Sequence, residues 1–286
     1  MRELEIHQPT TIDEAVRLMA TLGDEAKVLA GGTALVLMYT QGILMPRYMV
    51  SLSNIPNMAY IRYELGTGLR LGAMTSHRAV ECSAVVREKF PVLADVFHQV
   101  ANARIRNQAT VGGLLAEANY ATDPPPVLIG LNAQVKVVGS HGERTLPMDG
   151  FIRGFLETSL APDEIITEVV VPDMPANTHG AYLKCVTNSE WPCVGVAAVV
   201  QSRDGVCQHL RLVVSAVAST PQELREVEAL ARGQKLSDDL VREVARRYAE
   251  GIEPLSDHRG SSWYRKQIIE VLVRRAIQQA ATGGEQ

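Results

Sequence analysis

The chain has 286 residues, of which 46% are hydrophobic and 21% are charged. This length exceeds the roughly 100–200 residues of one domain and predicts two or three compact units, and the apolar content excludes a chain that is disordered throughout. The net charge is 28 − 32 = −4. Because a sequence-independent grip on nucleic acid needs a concentrated basic surface, we expect no nucleic-acid partner.

The cysteines and histidines give no sign of a metal centre. The four cysteines form no C-x-x-C motif, and the seven histidines are scattered along the chain. We therefore predict neither a disulfide framework nor a metal site in this chain. The first residues contain no apolar signal core, and no run reaches the ~18 apolar residues of a membrane span. We expect a reduced, cytoplasmic protein without a membrane span.

The first predicted helix begins at a capping box. Thr11 and Glu14 stand three residues apart, so a hydroxyl and a carboxylate can each satisfy an unpaired backbone amide, and Gly23 is suited to end the helix. The pattern then predicts a strand, a glycine turn, a second helix and a second strand, at residues 28–30, 31–33, 34–38 and 48–52. We assign residues 1–54 to a first unit.

The second predicted unit spans residues 55–174 and mixes strands with helices. Pro91 is suited to the first position of a helix. A second glycine turn lies at residues 110–113, and a run of three prolines follows Asp123. Alternating or apolar runs predict strands at residues 69–73, 134–138 and 165–171.

The third predicted unit spans residues 175–286 and places its strands before its helices. Two apolar runs flank Asp204-Gly205, which is a strong hairpin signal. Residues 220–223 predict a capping box with proline at the first helical position, and Ser237 predicts the start of another helix. A last helix is predicted over residues 263–277, with an apolar face formed by Tyr264, Ile268, Val271 and Leu272. This order favours an α+β fold over a doubly wound sheet.

Two glycine-rich turns are candidates for binding phosphate. Residues 30–34 are Ala-Gly-Gly-Thr-Ala, and residues 110–114 are Thr-Val-Gly-Gly-Leu. Neither matches a Rossmann or a Walker motif. A backbone without Cβ atoms can approach a phosphate and aim its amides at it, and Thr33 and Thr110 each offer a hydroxyl donor. Two such turns can clamp the two phosphates of one dinucleotide; the alternative is that each is only a tight turn.

Three further features each have a ligand interpretation and a plainer one. Asp123 precedes prolines that stiffen the backbone, so its carboxylate either accepts bonds from ligand hydroxyls or forms a turn. Lys184, in an apolar stretch, either points outward from a strand or faces a ligand as a cation. The basic cluster of Arg104, Arg106 and Asn107 either neutralises phosphate, meets a partner or forms a solvated face.

These motifs together resemble the flavoprotein (medium) subunit of the molybdenum hydroxylases, the family of the carbon monoxide dehydrogenase medium subunit and the xanthine dehydrogenase flavin domain. Residues 28–33 resemble the first FAD pyrophosphate loop, and residues 104–113 resemble the second, which in the family is close to R-n-x-(A/G)-T-(I/V)-G-G-N. Residues 123–128 match the family's D-x-x-P-x-L, and residues 263–276 resemble its Y-R…R-A helix. The resemblance covers nearly the whole chain, with the motifs in order.

The resemblance implies an FAD-binding fold of the vanillyl-alcohol-oxidase (PCMH) type in two subdomains, followed by a three-stranded sheet with helices. It implies that FAD lies on both glycine loops, mainly through backbone amides. Asp123 would accept bonds from ribityl or ribose hydroxyls, Lys184 would lie by the isoalloxazine edge, and the strand at residues 165–172 would close over adenine. The implied cofactor-binding residues are Leu29, Ala30, Gly31, Gly32, Thr33, Ala34, Thr110, Val111, Gly112, Gly113, Asp123, Ile166, Thr167 and Lys184.

The resemblance also implies a function and partners. The partners would be a large molybdopterin-binding subunit and a small [2Fe–2S] subunit, arranged as a dimer of heterotrimers. The substrate would be hydroxylated at molybdenum, and electrons would pass through the iron–sulfur clusters to FAD and on to an external acceptor. This chain would then be an electron-transferring oxidoreductase component and would hold no substrate-hydroxylating residue.

The chain departs from the family pattern at four positions. Ala34 stands where Asp or Ser is common, Leu114 stands where Asn is common, and Asn188 and Pro192 fall near an Arg and an Asp of many relatives. These departures leave the electron acceptor unassigned. They also leave two alternatives: a free-standing FAD enzyme, which needs an acid–base residue beside the flavin, and a scaffold that has lost its flavin.

Overall fold

The computed structural model of the protein describes residues 4–187 and 190–283. Its strands are β1 (Glu5–His7), β2 (Ala26–Leu29), β3 (Tyr48–Ser51), β4 (Ile61–Glu64), β5 (Gly68–Gly72), β6 (Gln134–Gly139), β7 (Gly142–Pro147), β8 (Ile152–Gly154), β9 (Glu157–Thr158), β10 (Ile165–Val171), β11 (Thr178–Val186), β12 (Pro192–Arg203) and β13 (Val206–Ser215). Its helices are α1 (Ile12–Leu22), α2 (Leu35–Thr40), α3 (His77–Cys82), α4 (Ala84–Lys89), α5 (Pro91–Gln99), α6 (Ala103–Gln108), α7 (Val111–Glu117), α8 (Pro124–Gly130), α9 (Arg225–Glu228), α10 (Asp238–Gly251) and α11 (Ser262–Ala281). Short 3-10 helices follow α1 and α9, at Gly23–Glu25 and Ala229–Ala231.

The first part of the chain forms a three-stranded parallel sheet in the order β1-β3-β2, with α1 packed against it. The hydroxyl of Thr11 accepts from the backbone N–H of Glu14 at 3.2 Å, as predicted. The Glu14 carboxylate accepts from the N–H of Thr10 at 2.9 Å. The predicted helix start is confirmed, and β2 leads directly into the first glycine turn.

The second part contains a five-stranded antiparallel sheet in the order β4-β5-β10-β6-β7. Its middle strand, β10, carries a bulge: Ile166 pairs with Val137, whereas Glu168 pairs with Lys136. Thr167 is therefore the extra residue, and the strand bends there. Helices α3 to α8 lie between β5 and β6 in the chain.

The third part forms a three-stranded antiparallel sheet, β11-β12-β13, as predicted. Its hairpin turns at Asp204 and Gly205, which have φ of 52° and 75°; two positive φ values are typical of the tight turn predicted from this pair. One face of β12 packs under α10 and α11, whereas Ala197 and Val199 on the other face join the core of the preceding parts. The α+β class is therefore confirmed.

The predicted capping box at residues 220–223 is wrong. Gln222 pairs with Val214 through both its N–H, at 2.8 Å, and its carbonyl, at 2.9 Å. The Glu223 carboxylate accepts from Arg211 Nε at 2.8 Å instead of capping a helix. These contacts hold the segment extended along the sheet, so α9 begins only at Arg225.

The predicted apolar face of the last helix is confirmed in part, because Tyr264 and Ile268 pack against the C-terminal core without being buried. Of the four predicted residues only Leu272 is buried, and the buried face continues through Ile269, Val273 and Ala276. Arg265 is buried at 0% exposure, because its guanidinium donates to the Leu255 carbonyl and to the Asp257 carboxylate, both at 2.6 Å. A charged side chain with these acceptors can lie in the core, and the helix is rotated accordingly.

No helix in the described part of the chain has both the length and the apolar content needed to cross a membrane.

Candidate functional site

The two glycine turns meet in the folded chain. A Cβ on Gly31 would collide with the backbone carbonyl of Gln108, just before the second turn. A Cβ on Gly113 would lie 3.5 Å from the Cβ of Ala30. The turns are 80 residues apart in sequence and in contact in space, and glycine at position 31 permits that close approach.

The first turn presents unpaired backbone donors. Its carbonyls serve α2: Gly32 accepts from Val36 at 3.0 Å, and Ala34 accepts from Met38 at 2.9 Å. Within residues 4–187 and 190–283, the N–H groups of Gly31, Gly32, Thr33 and Ala34 have no acceptor. All four residues are partly exposed. Neighbouring N–H groups of this kind form a concave anion-binding surface.

The second turn uses its donors within the chain. The N–H of Val111 donates to the Thr75 carbonyl at 3.0 Å, and that of Gly112 donates to the Ala73 carbonyl at 2.8 Å. The N–H of Gly113 donates to the hydroxyl of Thr110, the N-cap of α7, at 3.1 Å. The two turns are therefore not equivalent: only the first offers free amides along its length.

The bulge of β10 joins the same region through Ala73. The N–H of Ala73 donates to the carbonyl of Thr167 at 2.9 Å, and a Cβ on Gly112 would lie 2.7 Å from the Cβ of Ala73. Ile166 is buried, and its contact with adenine stays a prediction. Ala73 was not among the predicted site residues, because a small residue at the end of a strand is only a weak sequence signal of a binding site.

His77 holds the second turn through hydrogen bonds and was also not among the predicted site residues. Its side chain is 1% exposed, its N–H donates to the Ala109 carbonyl at 2.9 Å, and its Nε2 lies 3.2 Å from the Thr110 carbonyl. Because a carbonyl only accepts, Nε2 carries the proton. Burial lowers the pKa of His77 to about 4, so the ring is neutral near pH 7.

Asp123 and Lys184 form a second cluster. Asp123 is 4% exposed; its Oδ1 accepts from the Tyr182 hydroxyl at 2.7 Å, and its Oδ2 accepts from Lys184 Nζ at 3.0 Å. Burial raises the pKa of Asp123 to about 6, against the opposing effects of Lys184 and Tyr182. The prolines after Asp123 occupy the first turn of α8, where no N–H donor is needed.

Of the two alternatives for Lys184, the outward orientation is excluded, because its side chain turns inward to Asp123. Its Nζ also donates to the carbonyls of Gln99, at 2.7 Å, and Glu190, at 3.1 Å. Alternation along β11 places Tyr182 and Lys184 on the same face of the sheet, toward Asp123. The flavin roles assigned to Asp123 and Lys184 stay predictions.

The predicted basic cluster is divided by the fold. Arg104 and Asn107 are exposed, whereas Arg106 is 8% exposed and its Nε donates to Glu81 at 2.9 Å. Burial opposes the ionisation of Glu81, but hydrogen bonds from His98, Arg78 and Arg106 outweigh it and lower the pKa of Glu81 to about 2. A phosphate role for Arg106 is therefore wrong, because its guanidinium neutralises Glu81.

The departures from the family pattern have separate structural outcomes. Leu114 is buried in the core, where an apolar side chain packs, and Ala34 is partly exposed on the first turn. Pro192 begins β12 and is buried. Asn188 lies outside the described residues. In the described part of the chain, no group of three or more His, Cys, Asp or Glu side chains could hold a metal ion.

Comparison with known proteins agrees with this architecture. Residues 2–174 match the model of the FAD binding domain in molybdopterin dehydrogenase, and residues 184–280 match that of the CO dehydrogenase flavoprotein C-terminal domain. The chain is 31% identical over 277 residues to the carbon monoxide dehydrogenase medium chain of Hydrogenophaga pseudoflava, covering 96% of each. It is 29% identical to the glyceraldehyde dehydrogenase medium chain of Sulfolobus acidocaldarius, covering 95% of this chain and 96% of that one.

Solved structures give the same result. A chain of carbon monoxide dehydrogenase from Hydrogenophaga pseudoflava superposes with a TM-score of 0.94 and 32% identity, covering 98% of both chains. The fold is thus that of an FAD-binding flavoprotein domain followed by its C-terminal domain, as expected. The chain belongs to the family of FAD-binding medium subunits of the molybdenum hydroxylases. Its class is that of an oxidoreductase flavoprotein component, as its motifs predicted.

Proposed function

We propose that this chain binds FAD and carries electrons within a multi-subunit molybdenum hydroxylase. The observation that carries the proposal is the row of four unpaired N–H groups, from Gly31 to Ala34, at the point where the two glycine turns touch. Such a row is chemically suited to the doubly negative pyrophosphate of a dinucleotide. Bound FAD supplies the exchange of electrons between a donor and an acceptor.

The two turns have different tasks in this proposal. The first turn, with Leu29 and Ala30 leading into it, donates its free amides and the Thr33 hydroxyl to the pyrophosphate. In the second turn the amides of Val111, Gly112 and Gly113 are engaged within the chain, so its contribution is the close approach to the ligand that its two glycines allow. In this proposal most of the hydrogen bonds to the pyrophosphate therefore come from the first turn.

The remaining predicted residues are assigned to the other parts of FAD. The backbone of Ile166 and Thr167 at the β10 bulge contacts adenine. The Asp123 carboxylate accepts hydrogen bonds from the ribityl or ribose hydroxyls. Its two oxygens already accept from Tyr182 and Lys184, so a ligand hydroxyl must share one of these oxygens. Lys184 lies by the isoalloxazine edge. A carboxylate can accept several hydrogen bonds, so the pairing seen here is compatible with that role.

We also propose the partners that the family implies: a large molybdopterin-binding subunit and a small [2Fe–2S] subunit, assembled as a dimer of heterotrimers in the cytoplasm. Large apolar side chains exposed in one short segment support a covered surface there, since monomers rarely expose many together; Leu37, Ile43 and Met45 are 54%, 68% and 54% exposed. The division into units 1–54, 55–174 and 175–286 remains part of this proposal.

An absorbance spectrum of the purified chain, with chromatography of the cofactor released by heat, tests the proposal. We expect the bands of an oxidised flavin and the release of FAD rather than FMN. A colourless protein that also takes up no added FAD, alone or with its partner subunits, would contradict flavin binding. Purification without partner subunits from a host that encodes them would contradict the heterotrimer.

A further inference from the structure

Two cysteines are brought together where β11 ends and β12 begins. Cys185 pairs with Val194 in the ladder, but the next pair is Val186 with Pro192. Cys193 is therefore the extra residue of a β-bulge. In such a bulge two residues of one strand oppose a single residue of the other, so Cys193 and Val194 both stand opposite Cys185.

The two thiols lie on the same face of the sheet. Cys193 and Val194 belong to the core beneath α11, and Cys185 packs against that core. Lys184, the neighbour of Cys185, lies on the opposite face with Asp123. The bulge thus keeps Cys193 on the side of Cys185, where an uninterrupted strand would turn it away.

Tyr264 of α11 contacts the region of both thiols. Its hydroxyl lies 3.6 Å from Cys185 Sγ. A Cβ on Gly260 would lie 2.8 Å from Cys193 Sγ and 3.1 Å from Cδ1 of the Tyr264 ring. The Tyr264 side chain therefore lies near both sulfur atoms, and its hydroxyl can donate to a thiolate at Cys185.

Opposed positions on neighbouring antiparallel strands are close to the spacing that a disulfide needs. Facing side chains of neighbouring antiparallel strands have Cβ atoms about 4.5–5.5 Å apart, and a disulfide requires about 3.5–4.5 Å. The shift required is on the order of 1 Å. Cys185 is partly exposed and Cys193 is buried, so a small oxidant reaches Cys185 first.

We propose that Cys185 and Cys193 form a redox-modification site, in which hydrogen peroxide oxidises Cys185 and Cys193 resolves the product to an intrachain disulfide. The Cys185 sulfur attacks one peroxide oxygen, the O–O bond breaks, and a sulfenic acid and water form. The Cys193 sulfur then attacks the Cys185 sulfur, the S–O bond breaks, and a second water leaves with the Cys193 proton. Two thiols are oxidised to one disulfide, and one peroxide is reduced to two waters.

The other cysteines provide internal controls. Cys82 is exposed at the end of α3, and Cys207 is buried on β13 opposite Ser202. Cys82 can react with peroxide but lacks a thiol opposite it, and Cys207 is shielded. The proposal does not depend on FAD, so its failure would leave the flavin assignment unaffected.

Differential alkylation of the full-length protein tests the site. The chain is exposed to hydrogen peroxide, denatured and alkylated with one reagent, then reduced and alkylated with a second of different mass. We expect the second label on Cys185 and Cys193 in equal fractions of monomeric protein, and a cross-linked peptide 2 Da lighter than its parts before reduction. The first label on Cys193 in molecules whose Cys185 is oxidised would overturn the proposal.

Single variants separate the two roles. With Cys193→Ser, Cys185 should stop at the sulfenic acid, which dimedone traps; with Cys185→Ser, Cys193 should keep the first label. Protection of Cys193 in the Cys185→Ser variant would overturn the proposed order of attack. If the buried Cys193→Ser variant does not fold, the labelling of the unmodified chain still decides the question.

Discussion

Single residues of the glycine turns are glycine for different physical reasons. Gly31 must accommodate the Gln108 carbonyl, and Gly32 has φ of +73°, where a side chain is strained. A Cβ on Gly113 would lie 2.8 Å from the Thr110 hydroxyl oxygen, so a substitution there disturbs the cap of α7 before it disturbs a ligand. Gly32 is therefore the position at which flavin binding can best be tested.

We predict that Gly32→Ala abolishes FAD retention. The new Cβ meets only side-chain atoms of the chain, at 3.1 Å from Val36 and 3.4 Å from Leu29, so the fold should persist with a strain cost of roughly 1–2 kcal/mol. The moved backbone would misdirect the free amides. The measurement is the flavin-to-protein ratio after gel filtration, together with the melting temperature.

Gly42→Ala is the matched control. Gly42 has φ of +70° and nothing within 4 Å of a built Cβ, so it has the same backbone strain without a contact to the first turn. We expect a similar loss of stability and full FAD occupancy. Equal flavin loss in both variants would mean that strain alone, and not the first turn, governs retention.

The raised pKa of Asp123 predicts that the free energy of unfolding depends on pH. Its pKa rises from 3.8 in the unfolded chain to about 6 in the fold, so the folded protein binds the proton more tightly. This group's contribution to the free energy of unfolding is then largest below the lower value and falls as the pH rises through this window. In Asp123→Asn that slope should disappear.

Urea unfolding of both proteins between roughly pH 4 and pH 7 measures this slope. The stability of the natural chain relative to Asp123→Asn should decrease with rising pH and level off above the folded pKa. A relative stability that increases with pH would show that the contact with Lys184 outweighs the burial of the carboxylate.

At the scale of elements, α6 is attached to α3 by a buried ion pair. Arg106 on α6 donates to Glu81 on α3 and also, through Nη1, to the Val100 carbonyl at 2.9 Å. This attachment positions the chain just before the second glycine turn. Helix α6 is thus held in place by Arg106, the side chain that the sequence offered as a phosphate ligand.

We predict that Arg106→Met lowers the free energy of unfolding by about 3 kcal/mol, because breaking a buried ion pair leaves the negative charge of Glu81 with one cationic partner fewer. Arg104→Met, two residues earlier on the exposed side of α6, should change it by less than about 0.5 kcal/mol. Chemical denaturation of the two variants measures the difference. Equal effects would contradict a structural role for the pair.

At the scale of the whole molecule, the predicted boundary near residue 175 does not divide the core. Tyr182, Ala197, Val199 and Val213 of the C-terminal sheet belong to the same hydrophobic cluster as the sheets before it. Ion pairs add to this contact: Arg211 on β13 lies 3.3 Å from the Asp149 carboxylate. The parts therefore share apolar surface that neither can bury alone.

We expect the chain to unfold in a single cooperative transition. Separating the parts at residue 175 would expose Val199 and Val213, so a fragment of residues 1–174 should aggregate or melt at a lower temperature than the full chain. Scanning calorimetry provides the measurement. Two resolved transitions in the full chain, one of them matching that of the fragment, would contradict a shared core.

The local signals in the sequence were sufficient for much of the architecture. The cap at Thr11, the turn at Asp204-Gly205 and the helix start at Ser237 all occur as predicted, because each depends on residues within four positions of one another. The order of the glycine turns and the D-x-x-P motif was sufficient for the family. Backbone chemistry that is local in sequence could thus be predicted without the fold.

Tertiary structure alone decided which of those groups remain available. Asp123 and Lys184 are 61 residues apart in sequence and paired in space, and Arg106 finds Glu81 across 25 residues. The same holds for the amides: those of Val111 and Gly112 in the second turn are engaged by the chain at residues 73–75, whereas those of the first turn stay free. By itself the sequence determined the turns, the caps and the family; hydrogen-bond competition between distant residues, which no local pattern records, decided which donors and charges are left for a ligand.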